Sequence, residues 1–269
     1  MTLPLFLFTH EPDYGAAGIR AGVAGIVVDW EWRGKAARQR GVDTEVNRGT
    51  PQDLAAMRSA FAGHVICRIN NEPEMRLADL RLACELGANE VWLPMVRRVD
   101  EVEECLDALG PGVALGVLAE TREAMQMGRA LSGLPLARVY IGLNDYRIDR
   151  GHAGLFDPLL DGTVDRFRDE FGGALGVAGV TVPERGRPLP QRLLLAEMAR
   201  LRCAFGVGRR SFRADVPPAA LAAAVERIGR EYAALLARHG DGIQSDRKLL
   251  FQALAPASAA SPALARVAI

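Results

Sequence analysis

Two acidic residues, each closing an apolar run, are the first candidates for chemistry in this chain. VALGVLAE ends on Glu120 and ARVYIGLND ends on Asp145, with a helical stretch from Thr121 to about Leu134 between them. That order reads as strand, helix, strand, and the crossover returns the second strand parallel to the first. Neighbouring strands lie about 4.8 Å apart, so both carboxylates would share one rim of a sheet. Such a pair can hold a hard dication such as Mg²⁺ and leave positions open for water and substrate. Either acid alone reads more simply as a helix N-cap or loop residue, and the residues from Tyr146 to Gly151 as a turn. It is the repetition after consecutive strands that favours a metal.

Other polar residues gather where apolar runs stop. Arg68 lies inside VICRIN, where a guanidinium is costly without a partner. Its planar fork suits a substrate carboxylate or an enolate oxygen, and the competing reading is an ion pair with a rim acid such as Asp29. Asp29 is expected to face inward and orient metal-bound water. Glu31 is expected on the opposite side, toward substrate or toward Lys35 or Arg33. Asn70 and Pro94 stand at two further strand ends as candidate substrate contacts. GVGRR, ending in Arg209 and Arg210, follows the last strand, where barrels often bind phosphate. A coenzyme A or phosphate contact and a solvated loop are equal readings of it.

The elements that must position these residues form a repeat. Apolar strands are expected at 3–9, 25–31, 64–70, 90–95, 113–119, 137–144, 175–182 and 203–207, with helical patterns between them. Thr50 and Pro51 open one helix as N-cap and N1 residues, and Gly87 closes the next. The last helix is expected from Pro217 to His239. Eight such units match a single-domain (β/α)₈ TIM barrel over residues 1–255, followed by a loose tail at 256–269. A doubly wound sheet is the runner-up, but no Gly-rich fingerprint follows the first strand. In the barrel the C-terminal rim of the strands is where chemistry is expected.

Bulk properties narrow the partners. The 33 basic and 33 acidic residues balance, so nothing electrostatic points to nucleic acid or an anionic membrane. No apolar run approaches the roughly 20 residues of a membrane span. Four cysteines without CxxC spacing suit buried free thiols in a reducing cytoplasm.

The order of these motifs resembles a known family. DWEWRGKAAR follows the second strand, RIN the third, LPM the fourth, AET the fifth and GLNDYRIDRG the sixth. Together they are similar to the citrate lyase β-subunit and HpcH/HpaI-type aldolase family of the phosphoenolpyruvate/pyruvate barrel superfamily. The resemblance implies a Mg²⁺- or Mn²⁺-dependent carbon–carbon lyase or aldolase, with Glu120 and Asp145 as metal ligands. Arg68 would bind the substrate carboxylate and carbonyl, and Asp29 would support the metal site. A homotrimer or homohexamer and a small carboxylate substrate, or its coenzyme A thioester, are likewise implied. Trp32 stands where the aldolase branch has a basic His and the citrate lyase branch a second Asp. Acyl-CoA thioester hydrolysis, phosphoenolpyruvate chemistry and a non-catalytic metabolite-binding barrel are the alternatives.

Overall fold

The computed structural model describes residues 2–32, 49–151 and 154–254. The expected tail at 256–269, like Arg33 and Lys35, lies outside the described residues. Eight parallel strands close into a barrel in sequence order: β1 (Leu5–Phe8), β2 (Gly25–Asp29), β3 (Val65–Arg68), β4 (Glu90–Leu93), β5 (Ala114–Ala119), β6 (Arg138–Ile141), β7 (Leu175–Val180) and β8 (Phe205–Gly208). β1 pairs with both β2 and β8, which leaves no edge.

Helices cover the outside. They are α1 (Pro12–Arg20), α2 (Pro51–Ala60), α3 (Arg76–Glu85), α4 (Val99–Ala108), α5 (Gly128–Ser132), α6 (Leu143–Arg150), α7 (Asp157–Leu160), α8 (Thr163–Glu170), α9 (Gln191–Arg200), α10 (Phe212–Asp215), α11 (Leu221–Leu236) and α12 (Gly240–Leu254). None is long and apolar enough to cross a membrane. α2 starts as expected: the Thr50 N–H donates to Asp53 Oδ2 at 2.7 Å, and the Asp53 N–H donates to Thr50 Oγ1 at 3.3 Å.

Strand alternation divides the core in two. Ile26, Val28, Val65, Cys67, Val139 and Ile141 pack outward against the helices. Phe6, Val27, Ile66, Trp92, Leu118, Tyr140 and Phe205 fill the barrel's interior. Both faces of the strands are therefore covered over most of their length, which is why they read as continuous apolar runs. The same parity sets the site, because residue i+2 points the way residue i does. Val27 leads to Asp29, Ile66 to Arg68 and Leu118 to Glu120, so each polar side chain is the next inward position above an apolar plug.

Three expected elements differ. β6 stops at Ile141, and Asp145 lies in the first turn of α6 rather than at a strand end followed by a turn. Leu143 and Tyr146 of α6 are buried at i, i+3 spacing, a short helical period hidden in a polar stretch. Gly151, at φ 69°, supplies the left-handed cap that ends it. The segment from Thr121 to Leu134 is a 3₁₀ turn at Ala124–Gln126 and the short α5. At the C-terminus the helix expected from Pro217 to His239 runs only from Leu221 to Leu236, after a 3₁₀ turn at Pro218–Ala220, and a further helix, α12, turns back onto α9. Ion pairs hold it there: Asp246 with Arg192 at 2.5 Å and with Arg238, and Arg247 with Glu197 at 3.0 Å.

Candidate active site

Register brings the first charged pair together. Asp29 and Arg68 are directly paired across β2 and β3. Arg68 donates from Nε to Asp29 Oδ1 at 2.8 Å and from Nη2 to Asp29 Oδ2 at 2.6 Å, a bidentate fork. Nη1 lies 3.3 Å from Glu31 Oε2. All three residues are buried. Glu31 therefore faces the same side as Asp29, contrary to the expected opposite sides, because i and i+2 of extended backbone share a face. Burial opposes the charge on Arg68, but Asp29 and Glu31 outweigh it and keep the guanidinium protonated. The Phe8 ring lies 4.9 Å from Arg68 Cζ and completes its seat.

Glu120 stands on the next inward position above Leu118, 1% exposed. Burial pushes its carboxyl well above the ordinary range, and the charges of Asp145 and Glu31 push it further. Arg68 and the Met95 N–H, which donates to Glu120 Oε1 at 3.0 Å, offset only part of that. Met95 reaches this position with φ 52°, a left-handed conformation that costs a residue with a Cβ. Gly142 leaves the other side open: a Cβ there would strike Glu120 Oε2 and stand 2.9 Å from Glu120 Cβ. Asp145, also buried, projects from the first turn of α6.

Glu120, Asp145 and Arg68 line one cavity of about 440 Å³ at the C-terminal rim, together with Tyr140, Arg210 and Ser211. That is the volume of a small-metabolite pocket. Among the described residues no three His, Cys, Asp or Glu side chains converge as a metal cage. The pair present fits Mg²⁺ or Mn²⁺, because Mg²⁺ is commonly held by one or two carboxylates and keeps several waters. A dication between Glu120 and Asp145 would also remove the repulsion that raises the Glu120 carboxyl.

The remaining sequence candidates separate into wall and scaffold. Arg210 lines the cavity. Arg209 lines it as well and donates from Nη2 to Asp215 Oδ2 at 2.8 Å. Asn70 ties strand ends together: its Nδ2 donates to the Trp30 carbonyl at 3.0 Å and to Asp79 at 2.8 Å, and its Oδ1 accepts from the Trp32 N–H. Pro94 is buried beside Met95. Asp29, expected to orient metal-bound water, faces inward with both its oxygens on Arg68, and its Oδ1 also accepts from the Glu31 N–H at 3.1 Å. Met95, Gly142, Phe8 and Tyr140 escaped the sequence reading. Tyr140 could have been found, since RVYI alternates and Val139 and Ile141 are outward. The Met95 backbone has no sequence signal, as Gly or Asn is the usual occupant of that conformation.

No protein-family model matches the chain, and no curated protein does. Solved structures do match. A HpcH/Hpal aldolase/citrate lyase family protein from Burkholderia cenocepacia J2315 has a TM-score of 0.57 at 13% identity, over 77% of this chain and 88% of that one. Citrate synthase SbnG has a TM-score of 0.55 at 15% identity, over 77% and 86%. RipC from Yersinia pestis has a TM-score of 0.54 at 16% identity, over 90% and 98%. The likeness is one of fold, and the first of these neighbours carries the family name that the motif order resembles.

Proposed function

We propose that this barrel is a divalent-metal-dependent carbon–carbon lyase or aldolase acting through an enolate of a 2-oxo acid or a β-hydroxyacyl thioester. One observation carries the reading. Glu120 is buried with Asp145 beside it and its carboxyl driven up by both effects, in a cavity that also holds a protonated Arg68. Glu120 and Asp145 are the residues that would hold Mg²⁺ or Mn²⁺. When bound, the ion supplies Lewis-acid polarisation of a substrate carbonyl.

The chain's own residues do the rest. Arg68 offers its remaining N–H groups to the substrate anion and, later, to the charge that develops on the enolate oxygen. Asp29 and Glu31 hold the guanidinium in one orientation, so no reorganisation is needed as charge moves. The Met95 N–H fixes the angle of Glu120. Leu155 and Phe156 line the cavity beside these charges and keep that part of the wall apolar. Arg210 and Ser211, which follow β8 at the same rim, suit an anionic far end of the substrate, such as a second carboxylate or the phosphate of a coenzyme A thioester.

The test is exchange of the methyl hydrogens of pyruvate in D₂O, followed by proton NMR with and without Mg²⁺. Metal-dependent exchange that disappears in Asp145→Asn supports the reading. A wild-type protein that neither exchanges pyruvate nor binds Mg²⁺ by calorimetry would sink it. Association into a homotrimer or homohexamer belongs to the same proposal, and sedimentation velocity decides it.

A further inference from the structure

The chain has four tyrosines, and three of them have found partners. The Tyr14 hydroxyl donates to the Val216 carbonyl at 3.0 Å, and the Tyr232 hydroxyl donates to the Cys203 carbonyl at 2.6 Å. The Tyr146 hydroxyl accepts from Arg150 at 3.3 Å. Tyr140 is 8% exposed, yet among the described residues its hydroxyl meets no hydrogen-bond partner. The oxygen is not one of the sealed polar atoms of the core, so it opens onto space rather than onto protein. Tyr140 lines the same cavity as Arg68, Glu120 and Asp145.

The ring is not free to turn away. It stacks on Trp92 with centroids 5.5 Å apart and planes at 26°, and Trp92 is in turn anchored through Nε1 to Glu90 at 2.7 Å. Its backbone is paired with Leu118, two residues below Glu120. The phenol thus forms part of the cavity floor, with its only polar atom left for whatever enters. Burial holds the phenol protonated far above neutral pH, so it offers a donor.

We propose that Tyr140 is a substrate-binding hydrogen-bond donor whose hydroxyl holds an oxygen of the bound 2-oxo acid and binds that oxygen more tightly as it becomes an enolate. The inference rests on the enolate reading of the site and adds a neutral donor to the cationic one at Arg68. A donor aimed where negative charge develops is worth more in a dry site than in water, because it is already oriented. No proton changes hands in this role. The hydroxyl keeps its proton while the oxygen it holds gains charge.

The experiment uses oxalate, a planar dianion with the shape of a pyruvate enolate, titrated calorimetrically into the full chain in saturating Mg²⁺. Tyr140→Phe is expected to weaken oxalate at least about 10-fold, the loss typical of one hydrogen bond to a charged oxygen. Pyruvate, whose keto oxygen is uncharged, should weaken less. Tyr232→Phe is the control: it removes a phenol bonded to backbone, so it should lower Tm and leave oxalate affinity unchanged. Tyr140→Phe should do the reverse, since it removes no protein hydrogen bond. Unchanged oxalate affinity in a folded Tyr140→Phe would overturn the role of Tyr140 alone. Failure of the wild-type protein to bind oxalate would overturn the enolate reading, and the Tyr140 proposal with it.

Discussion

The barrel buries a glutamate at each end, and the two are treated in opposite ways. Glu90 opens β4 at the N-terminal end. It accepts from Trp92 Nε1 at 2.7 Å and Arg138 Nε at 2.8 Å, and His64 Nε2 lies 3.0 Å away. Arg138 in turn lies over Phe6 at 4.5 Å and Phe205 at 5.4 Å. Burial alone would raise the Glu90 carboxyl, but His64, Arg138 and Trp92 together bring it below the ordinary range. Glu120 follows β5 at the C-terminal end, with one backbone donor and a second carboxylate for company, and its carboxyl is driven up. One end is a closed network that spends its charge on stability. The other keeps charge unbalanced beside a cavity, which is the condition for gripping something that is not protein.

The largest expected effect lies at the open end. Glu120→Gln and Asp145→Asn should each lower metal-dependent turnover at least about 10⁴-fold, or roughly 5 kcal/mol in the activation barrier. Steady-state rates across a Mg²⁺ titration measure it, and a variant that keeps wild-type turnover would place the metal elsewhere. Next, Glu90→Ala should cost about 3–5 kcal/mol of folding stability by leaving Arg138 uncompensated, while turnover of the folded fraction stays unchanged. Urea denaturation reads this directly. A stable Glu90→Ala protein would erase the distinction between the two ends.

The pH dependence sharpens the contrast. Glu90 has a depressed folded pKa, so its contribution is present above the unfolded value of about 4.3 and is lost as pH falls through the folded value. Glu120 has a raised one, so its contribution is present below that same unfolded value and is lost as pH rises through the folded value. In metal-free protein at pH 7, Glu120→Gln should therefore raise Tm, by about 2–4 °C for each kcal/mol that burial and the charges of Asp145 and Glu31 cost the carboxylate. Mg²⁺ should raise the wild-type Tm and leave that of Glu120→Gln nearly unmoved. The reverse pattern in differential scanning fluorimetry would mean that Glu120 is already compensated.

The smallest effect belongs to neither end. Glu184, in the 3₁₀ turn after β7, is 62% exposed and forms an ion pair with Arg227 at 2.7 Å. Arg227→Ala should leave the urea denaturation midpoint and turnover unchanged, because water screens an exposed ion pair. A lowered midpoint would show that α11 depends on this bridge.

Much of the open end was legible before the fold was known. Glu120 and Arg68 stand at strand ends in a repeating pattern, and a costly guanidinium in an apolar run announces a partner. The closed end was not legible. Glu90 starts a strand in the same way that many surface acids do, and its partners His64 and Arg138 are 26 and 48 residues away. α6 has little sequence signal because four of its eight residues are charged (Asp145, Arg147, Asp149 and Arg150), so that composition masks the short buried period of Leu143 and Tyr146.

Read alone, the chain determined the number of strands, their parallel order and the end of each strand at which its polar residues fall, because those follow from local periodicity and crossover length. Tertiary structure alone decided which carboxylates are neutralised. Compensation depends on distances between side chains of different strands, and closure of the barrel sets these. It gave Asp29 to Arg68 and Glu90 to Arg138, and it set Glu120 at the rim of a cavity with its carboxyl driven up by burial and by the charges of Asp145 and Glu31.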